Sequence, residues 1–182
     1  MSRAYKFHDP DGLYFVTFAT IGWIDVFTRQ EYKNILLESI QFCQTIKGLD
    51  LNAWCLMTNH LHFIGSAREG FLMSNILRDM KKFTSKKIVD AIANNEQESR
   101  REWMLAIFKN AGNYNINNKD FQFWQQDNRP IELWSNEAIQ QKLTYIHNNP
   151  AATALVDEPW HWKYSSAIDY AGGKGLLDLI MI

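Results

Sequence analysis

Leu56-Met57-Thr58-Asn59-His60-Leu61-His62-Phe63-Ile64 is the stretch that decides the fold, because its character alternates residue by residue from His60 onward. Side chains two apart on a β-strand point to the same face. A strand that buries Leu61 and Phe63 therefore presents His60 and His62 together on its other side. Two neutral imidazoles side by side are the first half of a divalent-metal site. Alone, the pair reads first as two hydrogen-bonded strand histidines.

Working outward, Leu51 to Met57 forms a preceding strand, and Thr58-Asn59 joins it to His60–Gly65 as an antiparallel hairpin. Leu13-Tyr14-Phe15-Val16-Thr17-Phe18-Ala19 is a first strand, rich in aromatic and branched residues. Between them Thr28-Arg29-Gln30-Glu31 fits a capping box, and Tyr32, Leu36, Ile40 and Cys43 carry a helical core face to about Ile46. A lysine-bearing helix is expected over Ser74 to Ala93, with Ile76, Met80 and Phe83 facing the core. Glu98 to Lys109 predicts a further helix through Trp103, Met104, Ile107 and Phe108, and Ala111 to Asn118 is turn-rich. Phe121 to Leu133 supplies short extended pieces broken by Pro130. This order predicts an α+β chain with helices packed on one face of an antiparallel sheet.

The last helix is expected to be capped by Ser135 or Asn136, and Ile139, Leu143 and Ile146 form its apolar stripe. Tyr145 lies off that stripe. Asn149, one turn later, shares its face, as do Gln141 and Lys142. Pro150 disfavours helical dihedrals at Asn149, which places that residue in a distorted last turn. His147 lies toward the apolar side and reads as structural.

The 182 residues, 46% hydrophobic and 14% aromatic, suffice for one sizeable core and one domain spanning 1–182. Residues 94–120 read as an insertion and 171–182 as a C-terminal tail whose apolar residues pack on the body or a partner. No segment reaches the length of a membrane span and no secretory leader is visible, which favours a cytoplasmic protein. Cys43 and Cys55, without metal-type spacing, read as reduced core thiols. A net charge of −1 argues against nucleic-acid binding by bulk charge. Local patterning differs: residues 74–87 carry five cations against one anion. Arg78, Lys81, Lys82 and Lys86 fall within roughly a 140° arc of the helix, able to track a phosphate backbone. Among seven tryptophans, most are expected in the core; Trp124, with Arg129, is a weaker candidate for contacting DNA.

His60-Leu61-His62 after Met57-Thr58-Asn59, with Tyr145-Ile146-His147-Asn148-Asn149-Pro150, Trp160 and Tyr164-Ser165-Ser166-Ala167-x-x-Tyr170, resembles the single-tyrosine transposases that carry a His-hydrophobic-His motif. Within them the chain is most similar to the REP-associated tyrosine transposases, over roughly Tyr14 to Tyr170. The resemblance implies a ferredoxin-like plan with the histidine pair on a central strand. It also implies that His60, His62 and Asn149 ligate a divalent metal and that Tyr145 is the nucleophile. Its expected substrate is single-stranded DNA at palindromic hairpins, handled by a monomer or a homodimer. Thr58 stands where the family commonly has proline, and Ala151 and Ala154 where it often has Val and Gly.

The residue types suit that chemistry. Free phenols ionise near pH 10, so a tyrosine attacking phosphorus at neutral pH needs a more electrophilic phosphate and nearby positive charge. A divalent metal supplies both. Imidazole with oxygen ligands favours Mg²⁺ or Mn²⁺, while Zn²⁺, Co²⁺ or Ni²⁺ could occupy such a site in vitro. Attack by a phenol exchanges one phosphodiester for another, so the cleaved strand stays attached and can be rejoined. Two other readings share these residues: a non-cleaving DNA-hairpin-binding protein on the same fold, and a metal hydrolase using activated water.

Overall fold

The computed structural model describes residues 7–113, 120–126 and 130–182. Its centre is a four-stranded antiparallel sheet in the order β2-β3-β1-β4, with β1 at Tyr14–Ala19, β2 at Leu49–Leu56, β3 at His60–Ala67 and β4 at Ile131–Glu132. The hairpin closes as expected, with Met57 N donating to His60 O at 2.8 Å. Because β3 is internal, it pairs on one side with β1, which sets Thr17 opposite His62 and Ala19 opposite His60. On its other side Cys55 of β2 faces His62.

Alternation along the strands sorts the sheet into two unlike faces. Tyr14, Val16, Phe18, Trp54, Leu56, Leu61 and Phe63 point to one side. There α1 (Gln30–Ile46) and α2 (Met73–Asn94) cover them, joined by Met104 and Phe108 of α3 (Arg101–Asn113). The other side carries Phe15, Ala53, Cys55 and Ile64, packed against Leu143 and Ile146 of α4 (Asn136–Ala152). The one-face expectation thus holds for α1 and α2, whereas α4 lies on the opposite face. The order of elements along the chain does not specify which face a late helix takes; the apolar residues left on the second face do.

The outer edge of β2 is covered rather than open. Leu56 N donates to Tyr164 O at 2.8 Å, and Ser166 N to Trp54 O at 2.9 Å. At a β-bulge between Leu51 and Ala53 the C-terminal tail adds a further tie, Ile180 N to Leu51 O at 2.9 Å. Asn52 Nδ2 donates to Ile180 O at 2.7 Å. The Tyr164–Tyr170 motif and the tail therefore close an edge that would otherwise pair with other chains. Both cysteines are free and buried, and burial pushes Cys43 up to about 11 and Cys55 up to about 12.

Several local expectations need correction. The capping box at Thr28 does not form: α1 starts at Gln30 after Arg29. Thr28 instead lies in a 3₁₀ turn and donates to Asp25 O at 3.3 Å. Glu98 precedes α3 and accepts from Arg29 at 2.6 Å and Arg100 at 3.2 Å. Phe83 and Trp103, both expected in the core, are half exposed. Neither belongs to the buried residues of its helix. The turn-rich stretch falls largely on 114–119, outside the described residues.

Candidate active site

Each histidine is oriented by a hydrogen bond at Nδ1. Thr17 Oγ1, set across from His62 by the strand register, lies 2.7 Å from His62 Nδ1. Asn59 Oδ1, in the hairpin turn, lies 2.6 Å from His60 Nδ1. An amide oxygen only accepts, so His60 Nδ1 carries the proton and its Nε2 keeps the lone pair. The two rings are 4.5 Å apart between centroids. Burial holds His60 down to about 4; burial, helped by His60 and Lys142, holds His62 down to about 3. Both are therefore neutral at physiological pH, the form that ligates metal.

His62 Nε2 is buried and has no hydrogen-bond partner among the described residues. A buried ring nitrogen without a partner is costly in a folded protein and needs an explanation. A divalent cation fits: the donor is neutral, oriented from its other nitrogen, and paired with a second imidazole. Among the described residues no group of three His, Cys, Asp or Glu could hold a metal, so further ligands would have to be amide or substrate oxygens.

The late helix brings the tyrosine to this place. Ser135 caps α4 by accepting from Ala138 N at 3.2 Å, and the apolar stripe Leu143–Ile146 seats the helix on the sheet. Tyr145 is consequently held with its ring 5.2 Å from that of His62 and 6.0 Å from Phe15, while remaining 49% exposed. The ring therefore meets both the histidine pair and solvent. Asn149 follows one turn later. Contrary to expectation, the helix continues through Pro150 to Ala152, so Asn149 stays helical and on Tyr145's face. The two line a shallow hollow of about 450 Å³ with Gln141, Thr144 and Thr153. Ala154, where the resemblance leads one to expect Gly, takes a left-handed φ of 55°. The turn keeps that shape without glycine.

One site residue is not legible in the sequence. Thr17 orients His62 but is recognisable only once the β1–β3 register is known. Lys142, placed on Tyr145's face by helical periodicity, extends its ammonium to 5.6 Å from the Tyr145 ring and 4.9 Å from that of Phe15. His147 proves structural, its Nε2 2.8 Å from Ser166 Oγ.

The candidate DNA-contacting residues fare unevenly. Arg78, Lys81, Lys82 and Lys86 line one wall of a cleft of about 660 Å³ between α2 and residues 120–126. Arg78 is engaged with Asp79 and Asn75, and Lys81 donates to Gln125 O at 2.7 Å. Trp124 is corrected to a core residue: it is 4% exposed, stacks on Phe27, and donates from Nε1 to Thr84 at 3.0 Å. Its ring offers no free face to a base. Arg129 lies outside the described residues.

The structure thus brings a tyrosine carried on a late helix to a strand with paired histidines. The sequence matches the family "Transposase IS200 like" over residues 13–108, more than half of the chain, and the chain belongs to that family. Among solved structures it is similar to a REP-associated tyrosine transposase bound to a REP hairpin, with TM-score 0.68 and 17% identity, covering 100% of this chain and 95% of that one. A protein assigned as a transposase from Deinococcus radiodurans R1 is also similar, with TM-score 0.45 and 18% identity, covering 81% of this chain and 95% of that one. No curated protein matches the sequence. Among the described residues no helix is long and apolar enough to cross a membrane.

Proposed function

We propose that this transposase is metal-dependent and cleaves and rejoins single-stranded DNA through a 5′-phosphotyrosine on Tyr145. One observation carries this reading: the buried, partnerless Nε2 of His62 lies beside a half-exposed tyrosine from a different element. His60, His62 and Asn149 would hold the ion, Mg²⁺ or Mn²⁺. Bound there, it would supply Lewis-acid stabilisation of the charge developing on the phosphate.

The chain's own groups do the rest. The Tyr145 oxygen attacks phosphorus, a new O–P bond forms, the bond to the 3′ oxygen breaks, and the phenol's proton passes to solvent. The departing oxygen takes up a proton to leave a free 3′ hydroxyl. Rejoining reverses this, with a 3′ hydroxyl attacking the phosphotyrosine and returning the phenol. Lys142 places positive charge beside the tyrosine ring, which favours the approach of an anionic phosphodiester. Arg78, Lys81, Lys82 and Lys86 provide a basic wall for the DNA backbone, an interaction that weakens with added salt. That a structural neighbour holds a REP hairpin supports palindromic hairpins as the substrate.

The test is a single-stranded hairpin oligonucleotide labelled on its 3′ side, incubated with Mg²⁺ or Mn²⁺. The label should move into the protein band, and neither chelator-treated protein nor Tyr145→Phe should capture it. Turnover that survives Tyr145→Phe would replace this reading with a metal hydrolase. Salt-dependent hairpin binding without any adduct would replace it with a non-cleaving binding protein.

A further inference from the structure

The loop between β1 and α1 contains a feature that neither core packing nor the tyrosine chemistry uses. Gly22 and Trp23 both adopt left-handed backbone, with φ of 63° and 55°. For glycine this conformation is free; for a residue with a Cβ it is disfavoured, and bulky residues are seldom found there. Trp23 is nevertheless held in it from several directions. Its N–H donates to Thr20 O at 3.1 Å, and its carbonyl accepts from Asn59 Nδ2 at 3.2 Å. Thr20, fully buried, ties the same loop by donating to Ile24 O at 2.8 Å and Asn59 O at 3.1 Å.

Burial does not account for an indole at this position. Trp23 is 55% exposed and belongs to neither hydrophobic cluster. What the strained turn achieves is placement: the indole stands edge-on to His60, centroids 5.6 Å apart, with much of its surface open. The Asn59 amide bonds the Trp23 backbone carbonyl with one end and His60 Nδ1 with the other, so a single side chain ties the Trp23 turn to the imidazole. Strain held by surrounding bonds marks functional positions more often than structural ones. An open aromatic surface is the usual platform for an unpaired base.

We infer that Trp23 stacks on an unpaired base next to the scissile phosphate, setting the strand's position over the histidine pair. The inference rests on the single-stranded DNA reading above. Its test reads binding alone, so failure of the strand-transfer chemistry leaves it intact.

The probe is labelled oligodeoxythymidine of roughly twelve nucleotides, compared with an abasic strand of equal length, since stacking tolerates any base. The native chain should bind the thymidine strand about tenfold more tightly than the abasic one, as one stacked base implies. Trp23→Ala and Trp23→Gly should erase that preference and leave abasic binding unchanged, while Trp23→Phe should retain part of it. Because glycine accepts the left-handed backbone, Trp23→Gly should also hold or raise the thermal midpoint. Equal losses on both strands, an undiminished preference in the variants, no preference in the native chain, or a lower midpoint in Trp23→Gly with unchanged binding would each overturn the assignment.

Discussion

The two faces of one sheet, built from the same strands, differ in almost every physical respect. Beneath α1 and α2 lie Trp54, Phe18 and Phe63, each at most 2% exposed, and these large side chains hold the fold together. Beneath α4 the layer is thinner, and beyond Ile64 it gives way to Thr17, His60, His62 and a half-exposed Tyr145. Strand alternation puts the two jobs on adjacent residues: Phe63 serves the core, and His62, its neighbour, faces the proposed site. Stability and chemistry should therefore be separable by mutation even between residues adjacent in sequence.

The sharpest test of that separation is Tyr145→Phe. It should cut adduct formation by about 10⁴-fold or more, as loss of a nucleophile does, while the thermal midpoint stays within a few degrees. Phe63→Ala should do the reverse, costing about 3–5 kcal/mol in denaturant unfolding through a buried cavity, with metal binding intact wherever the protein remains folded. On the same side, Glu98 is squeezed upward by burial but held below its usual range by hydrogen bonds from Arg29 and Arg100. Such a depressed carboxylate contributes stability above the unfolded-state value that disappears as pH falls through the folded-state value. Glu98→Gln should cost about 2 kcal/mol at neutral pH and flatten the acid limb of a stability profile.

Smaller effects refine the site side. Thr17→Val, which removes the hydroxyl at His62 Nδ1, should weaken Mn²⁺ binding by roughly 10–100-fold in a calorimetric titration, with little change in unfolding midpoint. Ala154→Gly relieves a left-handed alanine just past α4 and should stabilise by about 1 kcal/mol or less, without altering adduct yield. If Thr17→Val instead destabilised the fold as much as Phe63→Ala, the two faces would not be functionally distinct.

What was legible in the sequence had a local period. The alternation through His60 to Ile64 specified a strand and a shared histidine face, and the Ile139–Leu143–Ile146 stripe specified which side of α4 carries Tyr145. What was not legible depends on partners distant in the chain. Thr17 becomes a site residue only because register sets it against His62. Trp124 enters the core because Thr20 and Thr84, each far away in sequence, receive it. Phe83 and Trp103 have core spacing yet remain half exposed among the described residues. The capping box at Thr28 lost to a 3₁₀ turn that begins before it, and Pro150 did not end α4, because the tertiary seat of that helix outweighs one missing hydrogen bond.

Peptide mapping of the protein after reaction with single-stranded hairpin DNA and Mn²⁺ tests the central claim most directly. The expected result is a single modified peptide in which Tyr145 carries a nucleotide through its 5′ phosphate, absent when His60 and His62 are both replaced by alanine in a chain that remains folded. A nucleotide attached to any other residue, or cleaved DNA bearing a free 5′ phosphate with Tyr145 unmodified, would contradict it.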